Sequence, residues 1–200
     1  MIFRRGTRLL PFQQMEKRTD LISTHQALHQ LLREKEGRNP EPTAAIIDSQ
    51  SVKASGAGET RGFDGNKKIN VRKRHIAAGT SGIPLVVKVH DANLSDGRQA
   101  FDVPEALFFC FISIRVLWAD AAYRGDLALW LPAAHLCRLE ISPTPKGQGL
   151  QIVPKRWILE RTFEWLQWSR RLGIDYEVYP DTAETMVYLA SIKIMLNRLT

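Results

Sequence analysis

The chain has 200 residues, 44% of them hydrophobic, which allows one substantial globular domain with a sizeable core. No apolar run is long enough to span a membrane, and residues 1–20 lack the apolar centre of a signal peptide, so we expect a cytoplasmic protein. The two cysteines, Cys110 and Cys137, lack the spacing of a zinc site and are predicted to be buried thiols. The formal net charge of +7 favours a polyanionic partner.

The start of the chain is predicted to form a separate N-terminal segment. Residues 24–36 have the pattern of a short amphipathic helix with Thr24 as its N-cap, and the residues before it show no clear period. The sequence GRNPEP combines glycine with two prolines and predicts a break after this helix. We therefore expect residues 1–40 to precede a domain formed by residues 41–200.

Three strands are predicted after the break. Residues 44–55 begin with the apolar run AAII, which is typical of a strand buried on both faces, and Asp48 follows directly. A glycine-rich connection leads to residues 67–80, which alternate basic and apolar side chains, and then to the apolar strand 83–92. Together these segments predict an antiparallel meander. Aspartate is disfavoured within strands, so the presence of Asp48 calls for a functional reason.

The second half of the chain alternates predicted helices with short strands. Helices are expected at 95–109, 125–137, 154–172 and 182–199, and strands at 115–120 and 138–145. This order predicts an α/β fold in which a mixed sheet, made of the meander and two further strands, is flanked by helices. Ligands of such sheets bind beyond the carboxyl ends of strands, and Asp48 and Asp120 each follow an apolar run.

The helix predicted at 154–172 is apolar around most of its circumference and carries one narrow polar stripe. At 3.6 residues per turn this stripe contains Arg156, Glu160, Glu164, Gln167 and Arg171. A carboxylate on a half-buried helix needs a cation beside it. Glu160 therefore faces either an arginine, as in an i,i+4 ion pair with Arg156, or a metal ion.

Three carboxylates, Asp48, Asp120 and Glu160, thus stand out, with Glu164 as the rival for the third position. Three converging carboxylates repel each other unless cations join them, and oxygen ligands of this kind suit Mg²⁺ or Mn²⁺. Two such ions activate a water or a 3′-hydroxyl for an in-line phosphoryl transfer. The pattern predicts a catalytic metal site of this class.

Basic residues are concentrated in the strand at 67–80 and in the late helix. We predict that they contact nucleic-acid phosphates and position the backbone, with little readout of bases. An ordinary solvated strand face is the alternative for the strand. The predicted DNA-binding residues are Lys53, Lys67, Lys68, Arg72, Lys73, Arg74, Arg156, Arg161 and Arg171. Structural roles are expected for His75, His90 and His135 and core positions for Trp118, Trp157, Trp165 and Trp168, although one tryptophan could stack on a flipped base.

Four ordered blocks carry a family resemblance: AAIIDSQSVK, RGFDGNKKINVRKRHI, LWADAAYRG and PKRWILERTFEWLQWSRRL. They resemble the signature blocks of DDE transposases of bacterial insertion sequences, above all the family named after insertion sequence five. The resemblance implies a ribonuclease H-like fold with Asp48, Asp120 and Glu160 as catalytic and metal-binding residues for two Mg²⁺ ions, with Mn²⁺ as a substitute. It also implies cleavage at transposon terminal inverted repeats and strand transfer into target DNA, by a homo-oligomer near the nucleoid.

The sequence departs from the wider family in two respects. Val153 and Gln167 stand where a tyrosine and a lysine are expected around the last acid, and Arg170 or Arg171 could supply the missing charge. The longer N-terminal region that recognises terminal repeats is also not recognisable, so the chain looks truncated or translated from a split reading frame. Two alternatives to an active transposase follow: a non-catalytic remnant that binds DNA or modulates a full-length enzyme, and a stand-alone metal-dependent nuclease.

Overall fold

The computed structural model describes residues 12–55, 62–64, 69–91, 101–142 and 155–200. Within those ranges, no helix combines the length and the apolar character needed to cross a bilayer.

A six-stranded mixed sheet forms the centre of the molecule. Its strands are β1 (Ala44–Lys53), β2 (Gly62–Asp64), β3 (Ile69–Gly79), β4 (Pro84–Asp91), β5 (Val116–Ala119) and β6 (Arg138–Ile141). The order across the sheet is β4–β3–β1–β5–β6, and the short strand β2 also pairs with β3. Strands β1, β3 and β4 form an antiparallel meander, whereas β5 runs parallel to β1 and β6 runs parallel to β5. The predicted ribonuclease H-like α/β fold is therefore confirmed.

Helices cover both faces of this sheet. They are α1 (Phe12–Lys35), α2 (Asp102–Cys110), α3 (Asp126–His135), α4 (Arg156–Gln167), α5 (Arg170–Gly173) and α6 (Pro180–Leu199). A single 3₁₀ turn, Ala121–Tyr123, follows β5. Because neighbouring residues of a strand point to opposite faces, the run AAII supplies both cores. Ile47 packs with α2 and α3 on one face, and Ile46 packs with α4 and α6 on the other.

Helix α1 differs from its prediction. It begins at Phe12, so the expectation of a short helix that starts at Thr24 is wrong. The Thr24 hydroxyl lies within the helix and donates to the Asp20 carbonyl oxygen at 2.8 Å. Helix α1 also packs against α6, where the ring of His25 hydrogen-bonds Ser191 at 2.9 Å. The boundary proposed at residue 40 stays a prediction.

The helix predicted at 154–172 is interrupted. Helix α4 ends at Gln167, Ser169 adopts an extended conformation, and α5 then makes a single further turn. Trp168 lies at this break and is 79% exposed, so its predicted core position is wrong. Cys110 is likewise exposed rather than buried, since it ends α2 on the solvent side, whereas Cys137 is buried as expected.

Three smaller differences concern element ends. The connection at 55–66 contains strand β2, where the sequence predicted only a flexible link. Helix α6 begins at Pro180, which fits the first turn of a helix, rather than after Thr182. Helix α3 continues through Pro132. The loop predicted at 146–153 lies outside the described residues.

Candidate active site

The first two predicted acids stand on neighbouring strands of the sheet. Strands β1 and β5 run parallel, with Ile46 opposite Trp118. Asp48 and Asp120 each come two residues after that pair, so they lie level with one another and on the same side as Ile46 and Trp118. This side is the one that α4 covers, because Ile46 and Trp118 pack in the core formed with that helix.

Local hydrogen bonds fix both aspartates. Asp48 lies within β1, and its Oδ1 accepts from the backbone N–H of Ser49 at 2.7 Å. Asp120 comes directly after β5 and caps the 3₁₀ turn, where its Oδ1 accepts from the N–H of Ala122 at 2.9 Å. The same turn is held from the opposite face of the sheet, because the hydroxyl of Tyr123 hydrogen-bonds His75 Nδ1 at 3.0 Å.

Glu160 approaches the aspartates from helix α4. Its neighbours Ile158 and Leu159 are buried in the core beneath the helix, which leaves Glu160 on the exposed side. The alternative that the polar stripe allowed, an ion pair between Arg156 and Glu160, is not formed between these two described residues. Arg156 Nε is buried and has no hydrogen-bond partner among the residues that the structure describes.

Electrostatic interactions link the three acids. Burial raises the pKa of Asp48 to about 6, the Ser49 N–H opposes this, and the negative charges of Asp120 and Glu160 raise it further. Arg156 acts in the opposite direction and lowers this pKa. Glu164, one turn further along α4, is not among the charges that act on Asp48. The arrangement therefore concentrates negative charge around Asp48, and among the described residues Arg156 is the cation that opposes it.

The donor set fits a divalent cation in its chemistry. Carboxylate oxygens are the ligands that Mg²⁺ and Mn²⁺ prefer, and a cation would relieve the repulsion that acts on Asp48. In the part of the chain that the structure describes, however, no three His, Cys, Asp or Glu side chains are gathered tightly enough to hold an ion by themselves. Further ligands from water or a substrate phosphate would be needed to complete a coordination sphere.

This geometry can be compared with known proteins. The sequence model described as the transposase DDE domain matches residues 39–196. The chain belongs to the transposase DDE domain family. No protein of curated function matches it significantly.

Two solved structures resemble this DDE domain at low sequence identity. The catalytic domain of Mos1 mariner transposase is 9% identical, with a TM-score of 0.42, over 97% of this chain and 94% of that one. The Mos1 strand transfer complex is 10% identical, with a TM-score of 0.43, over 100% of this chain and 63% of that one.

Two of the predicted DNA-binding residues of the DDE domain are buried. Arg72 is 2% exposed, and its guanidinium donates to the carbonyl oxygens of Glu177 and Val178, each at 2.7 Å, with Asp175 at 3.3 Å. Arg74 is also 2% exposed, lies 3.4 Å from the Leu172 carbonyl oxygen, and has a pKa lowered to about 10 by burial. Their prediction as phosphate contacts is wrong, because α5 and the segment between α5 and α6 cover this face of β3.

The other basic residues of the DDE domain have different surroundings. Lys53 is exposed at the end of β1, and Lys73 and Arg156 are half-buried. Arg171 is exposed but pairs with Glu177 at 2.9 Å. Arg161 lies against two tryptophan rings on α4. Lys67 and Lys68 lie outside the described residues. For all of these the DNA contact stays a prediction.

Sequence reasoning missed one cluster beside the acids of this DDE domain. The ammonium group of Lys155 lies 3.8 Å from the centre of the Trp118 ring and 3.5 Å from Glu140, and the indole N–H of Trp118 donates to Glu140 at 2.5 Å. Trp118 and Glu140 are register partners on β5 and β6, and Trp118 comes two residues before Asp120. Only the pairing of β5 with β6 reveals the cluster, and no sequence motif marks it.

Proposed function

We propose that this chain is the catalytic part of a DNA transposase from a bacterial insertion sequence of the family named after insertion sequence five. It would cut DNA at terminal inverted repeats and join the freed 3′-end to target DNA, as part of a homo-oligomer. The observation that supports this most is the electrostatic link between Asp48, Asp120 and Glu160, which come from two strands and a helix of a DDE domain.

In this proposal Asp48, Asp120 and Glu160 would hold two Mg²⁺ ions, for which Mn²⁺ substitutes. Bound metal would supply charge for activating a water or a 3′-hydroxyl and for stabilising the leaving oxygen. The backbone N–H groups of Ser49 and Ala122 orient the two aspartates. The positive charge of Arg156 partly offsets the negative charge around Asp48. Lys53 is exposed at the end of β1, five residues beyond Asp48, and would contact a DNA phosphate there.

The decisive experiment replaces Glu160 with Gln and measures Mn²⁺-supported nicking of supercoiled DNA. We expect nicking to be abolished while DNA binding is nearly intact, because a metal ligand is lost and the basic surface is not. Glu164→Gln is the matched control, since this acid lies one turn away on the same exposed side of α4 and should cut like the parent. Equal cutting by the parent and Glu160→Gln would refute the triad.

One departure favours the second candidate, a DNA-binding remnant without catalysis. Gln167 and Val153 occupy positions where the resemblance implies a lysine and a tyrosine. Titration with Mn²⁺ separates the two proposals, by comparing the parent with Asp48→Asn in the presence and absence of duplex DNA. Binding that is lost in the variant supports the enzyme. If the parent binds DNA but does not bind Mn²⁺ and does not cut DNA, the result supports the remnant.

A further inference from the structure

A basic cavity of about 370 Å³ lies where four elements meet, away from the carboxylates. The end of α1 and the residues after it, the β3–β4 turn, helix α4 and the end of α6 form its walls. Its lining includes Glu36, Arg38, Ser81, Trp157, Arg161 and Arg198. Gly79, the last residue of β3, pairs with Ala45 at this end of the sheet. Ala45 precedes Asp48 by three residues, which is about 10 Å of strand.

The charges that line the cavity are unbalanced. Three arginines face one carboxylate, Glu36, which lies 3.4 Å from Arg38 Nε and 4.0 Å from a terminal nitrogen of Arg198. Burial lowers the pKa of both Arg161 and Arg198, the charge of Glu36 raises both, and the charge of Arg161 also lowers that of Arg198. Guanidinium groups that repel each other in a partly desolvated site are stabilised by an anion between them.

Aromatic rings hold two of these arginines in place. The guanidinium of Arg161 lies 4.4 Å from the centre of the Trp157 ring and 4.5 Å from that of Trp165, and Arg198 lies 4.3 Å from Trp165. A guanidinium stacked by its face keeps its N–H groups directed outward in its own plane. The site is therefore preorganised for an acceptor, since the side chains need not be ordered when a ligand binds.

Two donors at the cavity have no hydrogen-bond partner in the part of the chain that the structure describes. The Ser81 hydroxyl is buried and makes no hydrogen bond among the described residues, and neither does Arg161 Nε. The Ser81 carbonyl oxygen, by contrast, accepts from Arg198 at 3.4 Å and from Arg161 at 3.5 Å. Buried polar groups are nearly always paired in folded proteins, so unpaired donors next to excess positive charge indicate a site for an oxyanion.

We propose that this cavity binds a phosphate group through Arg38, Arg161, Arg198 and the Ser81 hydroxyl. A planar carboxylate is served by one bidentate arginine, whereas guanidinium groups from three separate elements surround an anion with acceptors in several directions, as phosphate has. The phosphate can belong to a DNA backbone or be free in solution. The proposal that the phosphate belongs to DNA rests on the proposed function. The proposal that the cavity binds a phosphate group does not depend on it.

The first test titrates the full chain with inorganic phosphate by calorimetry at low salt. Arg38→Gln and Arg198→Gln should each weaken binding at least tenfold, because each removes one guanidinium. Lys193→Gln is the matched control, since Lys193 is exposed on α6, loses the same charge and does not line the cavity. Melting curves identify any variant that fails to fold, and Arg38, with 42% of its side chain exposed, is the safer of the two. No saturable binding by the parent, or equal weakening in the control, overturns the proposal.

The second test measures binding of a DNA duplex over a range of salt concentrations. If a DNA phosphate occupies the cavity, the slope of log affinity against log salt should fall by about one in each arginine variant and stay unchanged in Lys193→Gln. If the arginine variants bind inorganic phosphate more weakly but keep the parental salt slope, the cavity is a phosphate site that DNA does not occupy. Neither test requires metal or cleavage, so loss of nicking in Glu160→Gln and loss of phosphate binding are separate results.

Discussion

At the scale of single residues, the most informative side chain is Arg72, one of two buried arginines of β3. Arg72 forms an ion pair with Asp175, and the two side chains are 2% and 3% exposed. The guanidinium of Arg72 also donates hydrogen bonds to the carbonyl oxygens of Glu177 and Val178. Asp175 in turn accepts from the Glu177 N–H and donates its own N–H to Lys53. These bonds attach the segment between α5 and α6 to β3 and to the end of β1, the strand that carries Asp48.

Replacing Arg72 with Met should therefore destabilise the protein. The change leaves Asp175 as a buried charge without its cation and removes donors from two carbonyl oxygens, for which we expect a loss of roughly 3–5 kcal/mol in the free energy of unfolding. Urea denaturation measures it. Lys73→Met, at the neighbouring half-buried position, is the control and should lose less than about 1 kcal/mol. Similar losses in both variants would contradict the anchoring role.

Arg72 also shows why the prediction that the basic residues of β3 contact phosphates was partly wrong. A strand that alternates basic and apolar residues is typical of one solvated face, and the sequence of β3 fits that pattern. The segment that covers Arg72 lies about a hundred positions later in the chain, and nothing in the local sequence predicts that it returns to cover β3. Asp48, by contrast, could be identified because an acid directly after a buried apolar run is unusual for a strand.

At the scale of elements, the β3–β4 turn must approach helix α4 closely. Gly82 has φ of +81°, a left-handed conformation, and a Cβ at this position would lie 3.1 Å from the Trp165 ring and 3.2 Å from both Arg161 and Thr162. The Thr162 hydroxyl donates to the Gly82 carbonyl oxygen at 2.8 Å. Glycine thus permits the contact that joins the meander to α4.

Gly82→Ala should cost more stability than the same change at another left-handed glycine. Gly37 is the matched position: its φ is +69°, but a Cβ there meets nothing within 4 Å. The left-handed backbone costs about 1–2 kcal/mol with alanine at either site, and Gly82→Ala adds the displacement of Trp165 and Thr162. Urea midpoints compare the two variants, and equal losses would show that the close packing is unimportant.

The order of helices and strands along the chain was easier to predict from the sequence than the contacts between them. The meander, the strand that ends at Asp120 and the late helices follow from apolar runs and breaks in the sequence. The position of β5 beside β1, the register that brings Asp120 level with Asp48, and the break after Gln167 do not, because they depend on pairing and packing between distant segments. The interruption near Trp168 even opposes the local pattern, which continues to look helical.

At the scale of the whole molecule, the first and last helices are joined by polar as well as apolar contacts. Arg18 of α1 pairs with Asp181, at 2.6 Å, and with Glu184, both on α6. Deeper in the same interface His25 meets Ser191 and packs edge-on against Tyr188 at 5.1 Å. The long α1 helix thus completes one side of the core, so its integrity bears on the whole fold.

Two buried histidines of α1 make the fold sensitive to acid: His25 faces α6, and His29 lies near Phe111. Burial lowers the pKa of His25 to about 3, and the charge of His29 adds to this; burial and Arg33 lower the pKa of His29 to about 4. Because both values lie below the ordinary 6.5, the unfolded chain binds protons that the folded chain excludes. The free energy of unfolding contributed by these groups should therefore fall as pH decreases below about 6.5, down to about 3.

Urea denaturation at pH values between 7 and 4 tests this dependence. His25→Gln and His29→Gln each remove one titrating group, so their free energy of unfolding should fall less steeply with acid than that of the parent, whatever their stability at neutral pH. His135→Gln, a histidine stacked on Phe108 at 4.2 Å near the surface, is the control and should keep the parental slope. A parental slope in both buried variants would mean that these histidines do not govern the response. The acid sensitivity would then have to arise from other groups of the fold.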